Sequence, residues 1–131
     1  MLDVGSGAGL PGLPLKIVRP TLRLTMVESR QRRASFLSTA ARELALADVR
    51  VIADRLESSV RELADSFDAV VARCAGDLGY LFGVGAHLVR VGGIVIASGP
   101  PEEHPLPVGR WITVPGVAKS ETRRFAVYVR E

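Results

Sequence analysis

Short apolar runs alternate with amphipathic segments along the whole chain. Leu2 to Val4 reads as the end of a buried strand, and a glycine-rich stretch follows it from Gly5 to Gly12. Apolar Leu13, Ile17 and Val18 mark a short helix over Pro14 to Val18, which Pro20 stops. Leu22 to Glu28 alternates apolar and polar positions, as a second strand does. Ser29 offers an N-cap for a long helix from Arg30 to about Leu46. Its Ala34, Phe36, Leu37, Ala40, Ala41 and Leu44 recur at a helical period. Val49 to Ala53 is a third strand, and Leu56 to Ala64 a helix with Leu56, Val60 and Leu63 on one face. Phe67 to Ala72 is a fourth, buried strand. Leu78 to Val89 is helical, Gly92-Gly93 breaks it, and Ile94 to Ser98 is a fifth strand. Pro100, Pro101, Pro105 and Pro107 make the segment from Gly99 to Gly109 a loop. Trp111 to Val114 and Phe125 to Val129 have no helix between them, so they pair antiparallel.

Strands joined through helices predict an α/β fold: a mostly parallel sheet with helices on both faces and a C-terminal antiparallel hairpin at one edge. A dinucleotide dehydrogenase would continue with another βαβ unit instead. The length, 131 residues, predicts one domain over 1–131. Hydrophobic residues at 47% and charged residues at 24% fit a globular protein with a real core. No apolar run approaches the roughly 18 residues of a membrane span. Asp3 and the glycines interrupt any signal peptide at once. A lone cysteine, Cys74, excludes an internal disulfide. These features point to the cytoplasm.

Net charge is +3 and the isoelectric point about 9.6, a mildly basic balance compatible with a nucleic-acid partner. Of the 17 basic residues only Lys16 and Lys119 are lysine. Arginine favours bidentate phosphate contacts, although a GC-rich genome produces the same bias.

The candidate chemistry gathers at strand ends. Asp3-Val4-Gly5-Ser6-Gly7-Ala8-Gly9 is a strand running into a turn that lets a ligand approach the backbone. A merely tight connection would need fewer glycines. Glu28 ends the second strand, which neighbours the first in an open sheet, so its carboxylate can accept both hydroxyls of a ribose. Taken alone it also reads as a surface charge. Asp54-Arg55-Leu56-Glu57 follows the third strand, where an acid or a backbone amide can read an adenine amino group. Glu57 equally suits a helix N-terminus. Arg73 ends the fourth strand, and its charge needs a partner: a ligand carboxylate, an RNA phosphate, or a protein carboxylate such as Asp3. Arg30, Arg32 and Arg33 open the long helix, and Arg123-Arg124 precede the last strand. Both sets read as phosphate contacts or as solvated charge.

Asp-Val-Gly-Ser-Gly-Ala-Gly-Leu-Pro-Gly-Leu-Pro-Leu from Asp3, Ile-Val-Arg-Pro from Ile17, and the Glu-Ser, Arg-Arg and Phe-Leu pairs after Met26 resemble one family. It is the bacterial small-subunit (16S) ribosomal RNA guanine-N7 methyltransferase G family, also called glucose-inhibited division protein B. The likeness continues through Asp-Arg-Leu-Glu, Phe-Asp-Ala-Val-Val-Ala-Arg, Gly-Gly and Val-Pro-Gly, covering most of residues 2 to 98 and more weakly the end. It implies a class I, Rossmann-like methyltransferase sheet with strands ordered 3-2-1-4-5-7-6. It implies S-adenosyl-L-methionine as cofactor, ribosomal RNA or the small subunit as partner, and no metal. Asp3, Gly5, Gly7 and Leu10 would then line the methionine and ribose part, Glu28 hold the ribose hydroxyls, and Leu56 and Glu57 flank the adenine. Arg73 would stand near the reacting centre as the catalytic residue, also touching the cofactor. Guanine N7 carries a free lone pair, so no general base is required, and His87 and His104 need no role. Cys74 has no Pro-Cys context and reads as a small buried residue.

Family members carry a helical segment before the glycine loop, a lysine-glycine pair after strand five and a helix before the hairpin. None of the three is found here. An apolar face left uncovered at the front would favour self-association. The alternative readings are a truncated remnant that binds cofactor or RNA without turnover, and an NAD-dependent oxidoreductase. For the latter, Gly7 to Gly12 fits G-x-G-x-x-G, but its first glycine lies three residues past Val4.

Overall fold

A computed structural model describes residues 1–73, 77–99 and 104–131. Cys74 and Pro100 to Glu103 lie outside the described residues. The elements are β1 (Leu2–Val4), α1 (Gly12–Val18), β2 (Leu24–Val27), α2 (Gln31–Glu43), β3 (Val49–Ile52), α3 (Leu56–Ser59), β4 (Phe67–Arg73), α4 (Leu78–Leu88), β5 (Val89–Ser98), β6 (Arg110–Pro115) and β7 (Thr122–Val129). The strands form one sheet in the order β3-β2-β1-β4-β5-β7-β6, the order that the family resemblance implies. The first five are parallel, and β7 runs antiparallel to both of its neighbours.

Alternation along the strands sends side chains to two cores. On one face Leu24 and Met26 of β2 pack with Leu13 of α1 and Leu37 of α2. On the other, Leu2, Val27, Val70 and Val95 pack with Leu56, Leu63, Phe82 and Leu88 from the α3 and α4 side. The carboxyl ends of the parallel strands therefore share one edge, with a helix starting beside each turn.

Several boundaries differ from the sequence expectation, each for a local reason. Helix α1 begins at Gly12, not Pro14. Pro14 is tolerated because N–H groups of a first turn have no intrahelical partner. Strand β2 starts at Leu24 because Leu22 N–H closes a turn onto Arg19 O. Lys16 is almost fully buried, and its Nζ donates to Pro20 O and Leu22 O, both at 2.6 Å, which clasps that turn to α1. Ser29 does not cap α2: it is exposed, and Glu28 Oε1 accepts the Arg30 N–H at 2.9 Å instead. Helix α3 is a single turn, and residues 60–65 run on as turns while Leu63 stays in the core. Strand β5 begins at Val89, with Gly92-Gly93 inside it. Gly92 has φ +78° in a stretch where the pairing with β4 shifts register, so the glycines mark an irregularity in the strand, not its start.

Helix α2 ends at Glu43 because Ala45 turns left-handed, at φ +50°. Ala45 N–H bonds Arg42 O and Leu46 N–H bonds Ala41 O, the paired closure of a Schellman motif. That position normally belongs to glycine. Ala45→Gly is expected to stabilise the fold by about 1 kcal/mol. Urea denaturation checks it, and an unchanged midpoint would count against the strain argument.

Candidate functional site

The turn after β1 is held by its own backbone. Gly5 and Ser6 N–H both donate to Val27 O, Gly9 N–H donates to Ser6 O, and Ser6 Oγ donates to Asp3 O at 2.9 Å. Gly5, Gly7 and Gly9 all have positive φ. At Gly9 a Cβ would also stand 2.4 Å from Leu13 Cδ1, so the turn lies flat on α1. At Gly5 the space a Cβ would take is open.

Two carboxylates fasten this turn. Glu28 is buried and accepts Gly7 N–H through Oε2 at 2.8 Å and Arg30 N–H through Oε1 at 2.9 Å. Asp3 is fully buried on the α1 face, where Oδ2 accepts Gly12 N–H at 3.0 Å. Asp3 Oδ1 is buried with no hydrogen-bond partner among the described residues. Burial pushes the Asp3 carboxyl up to about 6, against the pull of Gly12 N–H, Ser6 and the Arg73 charge. Arg73, exposed at the end of β4, brings Nη2 to 3.7 Å from where a Cβ of Gly7 would stand.

Beside the turn opens a cavity of about 260 Å³ lined by Val4, Gly5, Val27, Ser29, Asp54, Arg55, Leu56 and Glu57. Three strand ends thus contribute to one hollow. Of the residues singled out from sequence, Gly5, Leu56 and Glu57 line it. Glu28 sits between the lining residues Val27 and Ser29, and Gly7 hangs on Glu28. Leu10 is outside the wall and 42% exposed. Asp3 and Arg73 stand behind and over the turn. Arg30, Arg32 and Arg33 are exposed at the start of α2, on the same sheet edge. Thr122, where β7 begins, lies beyond the pairing of Phe125 with Ser98, so Arg123 and Arg124 also reach that edge. Consecutive positions on a strand point to opposite faces, so this doublet does not act as one patch. Arg123 is exposed and paired with Glu121, and Arg124 is half-buried.

One residue of the site gave no sequence signal. Tyr80, in the first turn of α4, donates its hydroxyl to Glu57 Oε1 at 2.5 Å. This hydrogen bond, ahead of the nearby Arg55 charge, holds the Glu57 carboxyl below its ordinary range. The same bond raises the Tyr80 hydroxyl above its own. Among the described residues no three His, Cys, Asp or Glu side chains gather in a way that could hold a metal ion. No described helix is long and apolar enough to cross a membrane.

Comparison with known proteins settles the family. The family model GidB, rRNA small subunit methyltransferase G, matches residues 1–99. The chain belongs to this family. A ribosomal RNA small subunit methyltransferase G of Sorangium cellulosum is 43% identical over 114 residues, 86% of this chain and 48% of that protein. Its Xanthomonas axonopodis counterpart is 39% identical over 142 aligned residues, 100% of this chain and 64% of that protein. The chain thus spans about half to two thirds of the length of these two methyltransferase G relatives. Among solved structures, a SAM-dependent methyltransferase from Thiobacillus denitrificans, in complex with S-adenosyl-L-homocysteine, superposes with a TM-score of 0.63 at 19% identity. It covers 75% of this chain and 40% of that one, a likeness of fold.

Proposed function

We propose that this chain binds S-adenosyl-L-methionine in the hollow beside Gly5 and transfers its methyl group to guanine N7 in small-subunit ribosomal RNA. The observation that carries the reading is Glu28, a buried carboxylate tied to the N–H of Gly7 at the mouth of the glycine turn. Each of its oxygens accepts one backbone N–H and keeps a second lone pair, which suits the two hydroxyls of a ribose. The open space at Gly5 suits close approach of the sugar and methionine part, with Gly7 and Leu10 beyond it. Leu56 and Glu57 would flank the adenine. Asp3 would keep the turn seated through Gly12.

When bound, this cofactor supplies a methyl group already activated by its sulfonium. Guanine N7 offers a free lone pair as the acceptor of that methyl. No proton moves, so no side chain has to act as a base. The protein's task is to orient the two reactants. Arg73 would hold the cofactor carboxylate or an RNA phosphate near the reacting atoms. Arg30, Arg32 and Arg33, with the exposed Arg123, would contact the RNA backbone. A cytoplasmic site of action follows from that substrate. Ile17 and Val18 of α1, 51% and 69% exposed, support self-association through that face.

The test joins binding to turnover. S-adenosylhomocysteine is expected to bind by calorimetry, and Glu28→Ala to weaken it about 30-fold, the loss of charge-assisted bonds to two hydroxyls. Labelled methyl should then appear at guanine N7 in small subunits from a strain lacking the modification. Binding without incorporation would reduce the protein to a cofactor-binding remnant. Binding unaffected by Glu28→Ala would overturn the pocket assignment.

A further inference from the structure

Resting on that reading of the hollow, we propose that Tyr80 is a positioning residue for cofactor specificity: it holds Glu57 in the place from which its carboxylate reads the adenine amino group. The geometry comes from two elements that are far apart in sequence. Glu57 belongs to the first turn of α3 and lines the hollow. Tyr80 belongs to the first turn of α4, which starts at the same sheet edge after β4. Its hydroxyl closes the gap, donating to Glu57 Oε1 at 2.5 Å.

Glu57 is otherwise poorly restrained. It is exposed, and a free glutamate samples many rotamers, so an acid at this position alone gives weak discrimination. One hydrogen bond from a rigid aromatic side chain removes much of that freedom. It occupies Oε1 and leaves Oε2 to accept from a ligand N–H. It also favours the ionised acid, the state that accepts without offering a competing proton; the lowered Glu57 carboxyl and the raised Tyr80 hydroxyl agree with this. The charges facing the pair are Arg55, beside Glu57 in sequence, and Asp77, whose Oδ1 is engaged by the N–H groups of Gly79 and Tyr80. Tyr80 itself is held by that cap, so its backbone is fixed when its hydroxyl reaches across.

A tyrosine acting through Glu57 must discriminate among purines, whereas one that merely supports the fold must not. Calorimetry with two probes separates these: S-adenosylhomocysteine, and its 6-deamino analogue, in which the purine carries hydrogen in place of the amino group. Tyr80→Phe is expected to weaken S-adenosylhomocysteine about fivefold and leave the 6-deamino analogue unchanged. In a Glu57→Ala background, Tyr80→Phe should add no further loss with either probe. Equal weakening of both probes, no weakening of S-adenosylhomocysteine, or additive losses in the double variant would overturn the inference and leave the cofactor reading standing. If the unaltered chain binds neither probe, the cofactor reading falls and this inference with it.

Discussion

Lys16→Ala is expected to destabilise the fold by about 4 kcal/mol, and Lys16→Met by about half as much. Lys16 stands on α1 with 1% of its surface exposed. Its stem fills a core position between the helix and the turn that leads into β2, and its ammonium is satisfied by Pro20 O and Leu22 O. Alanine removes both the packing and the two bonds, roughly 2 kcal/mol for each part. Methionine keeps most of the volume and loses only the donors. Urea unfolding of the three proteins reads the two parts separately. A Lys16→Ala midpoint equal to the original would mean the clasp contributes nothing, and a Met variant as unstable as the Ala variant would assign the whole effect to the hydrogen bonds.

The second large effect is in pH. The Asp3 carboxyl titrates near 6 in the folded chain and at an ordinary 3.8 in the unfolded one, because burial penalises its charge. Between these values the native state holds a proton that the unfolded chain has released. Stability from this group is complete below about pH 4, falls as pH rises through 6, and stays low above that, by about 3 kcal/mol in all. Asp3→Asn, which cannot ionise, should remove this fall. The difference in unfolding free energy between the two proteins, measured from pH 4 to 8, isolates Asp3 from carboxyls such as Asp68, which Arg90 shifts the other way. A difference that does not change with pH would refute the buried-charge account.

What the sequence disclosed, and what it concealed, follows from the range of the interactions involved. The placement of the Gly5 to Gly9 turn beside Glu28 was readable because it depends on alternation, glycine and chain order, whereas the full strand order came from the family resemblance. Lys16 was not readable: a lysine in a short helix looks like a surface charge, and only the backtrack from Arg19 to Leu22 buries it. The end of α2 was placed too late because Ala45 takes a conformation that alanine rarely adopts. Gly92-Gly93 looked like a boundary because glycine weakens strands, yet the register shift against β4 uses that weakness inside β5. Tyr80 gave no signal because its partner lies 23 positions away and only the crossover through β4 brings the two helices together. The Arg123-Arg124 doublet reads as one basic patch in a string of letters but divides between two faces on a strand.

The double attachment of Glu28 makes the site a measure of side-chain length. Aspartate has the same two oxygens one methylene nearer the backbone, so it can reach the Gly7 or the Arg30 N–H but not both. Glutamine has the reach and only one acceptor oxygen, so one N–H would face another donor. Glutamate alone meets both demands at once. The conservative exchanges that most surface acids tolerate are therefore closed at this position, and they are closed by the backbone around the turn before any ligand arrives.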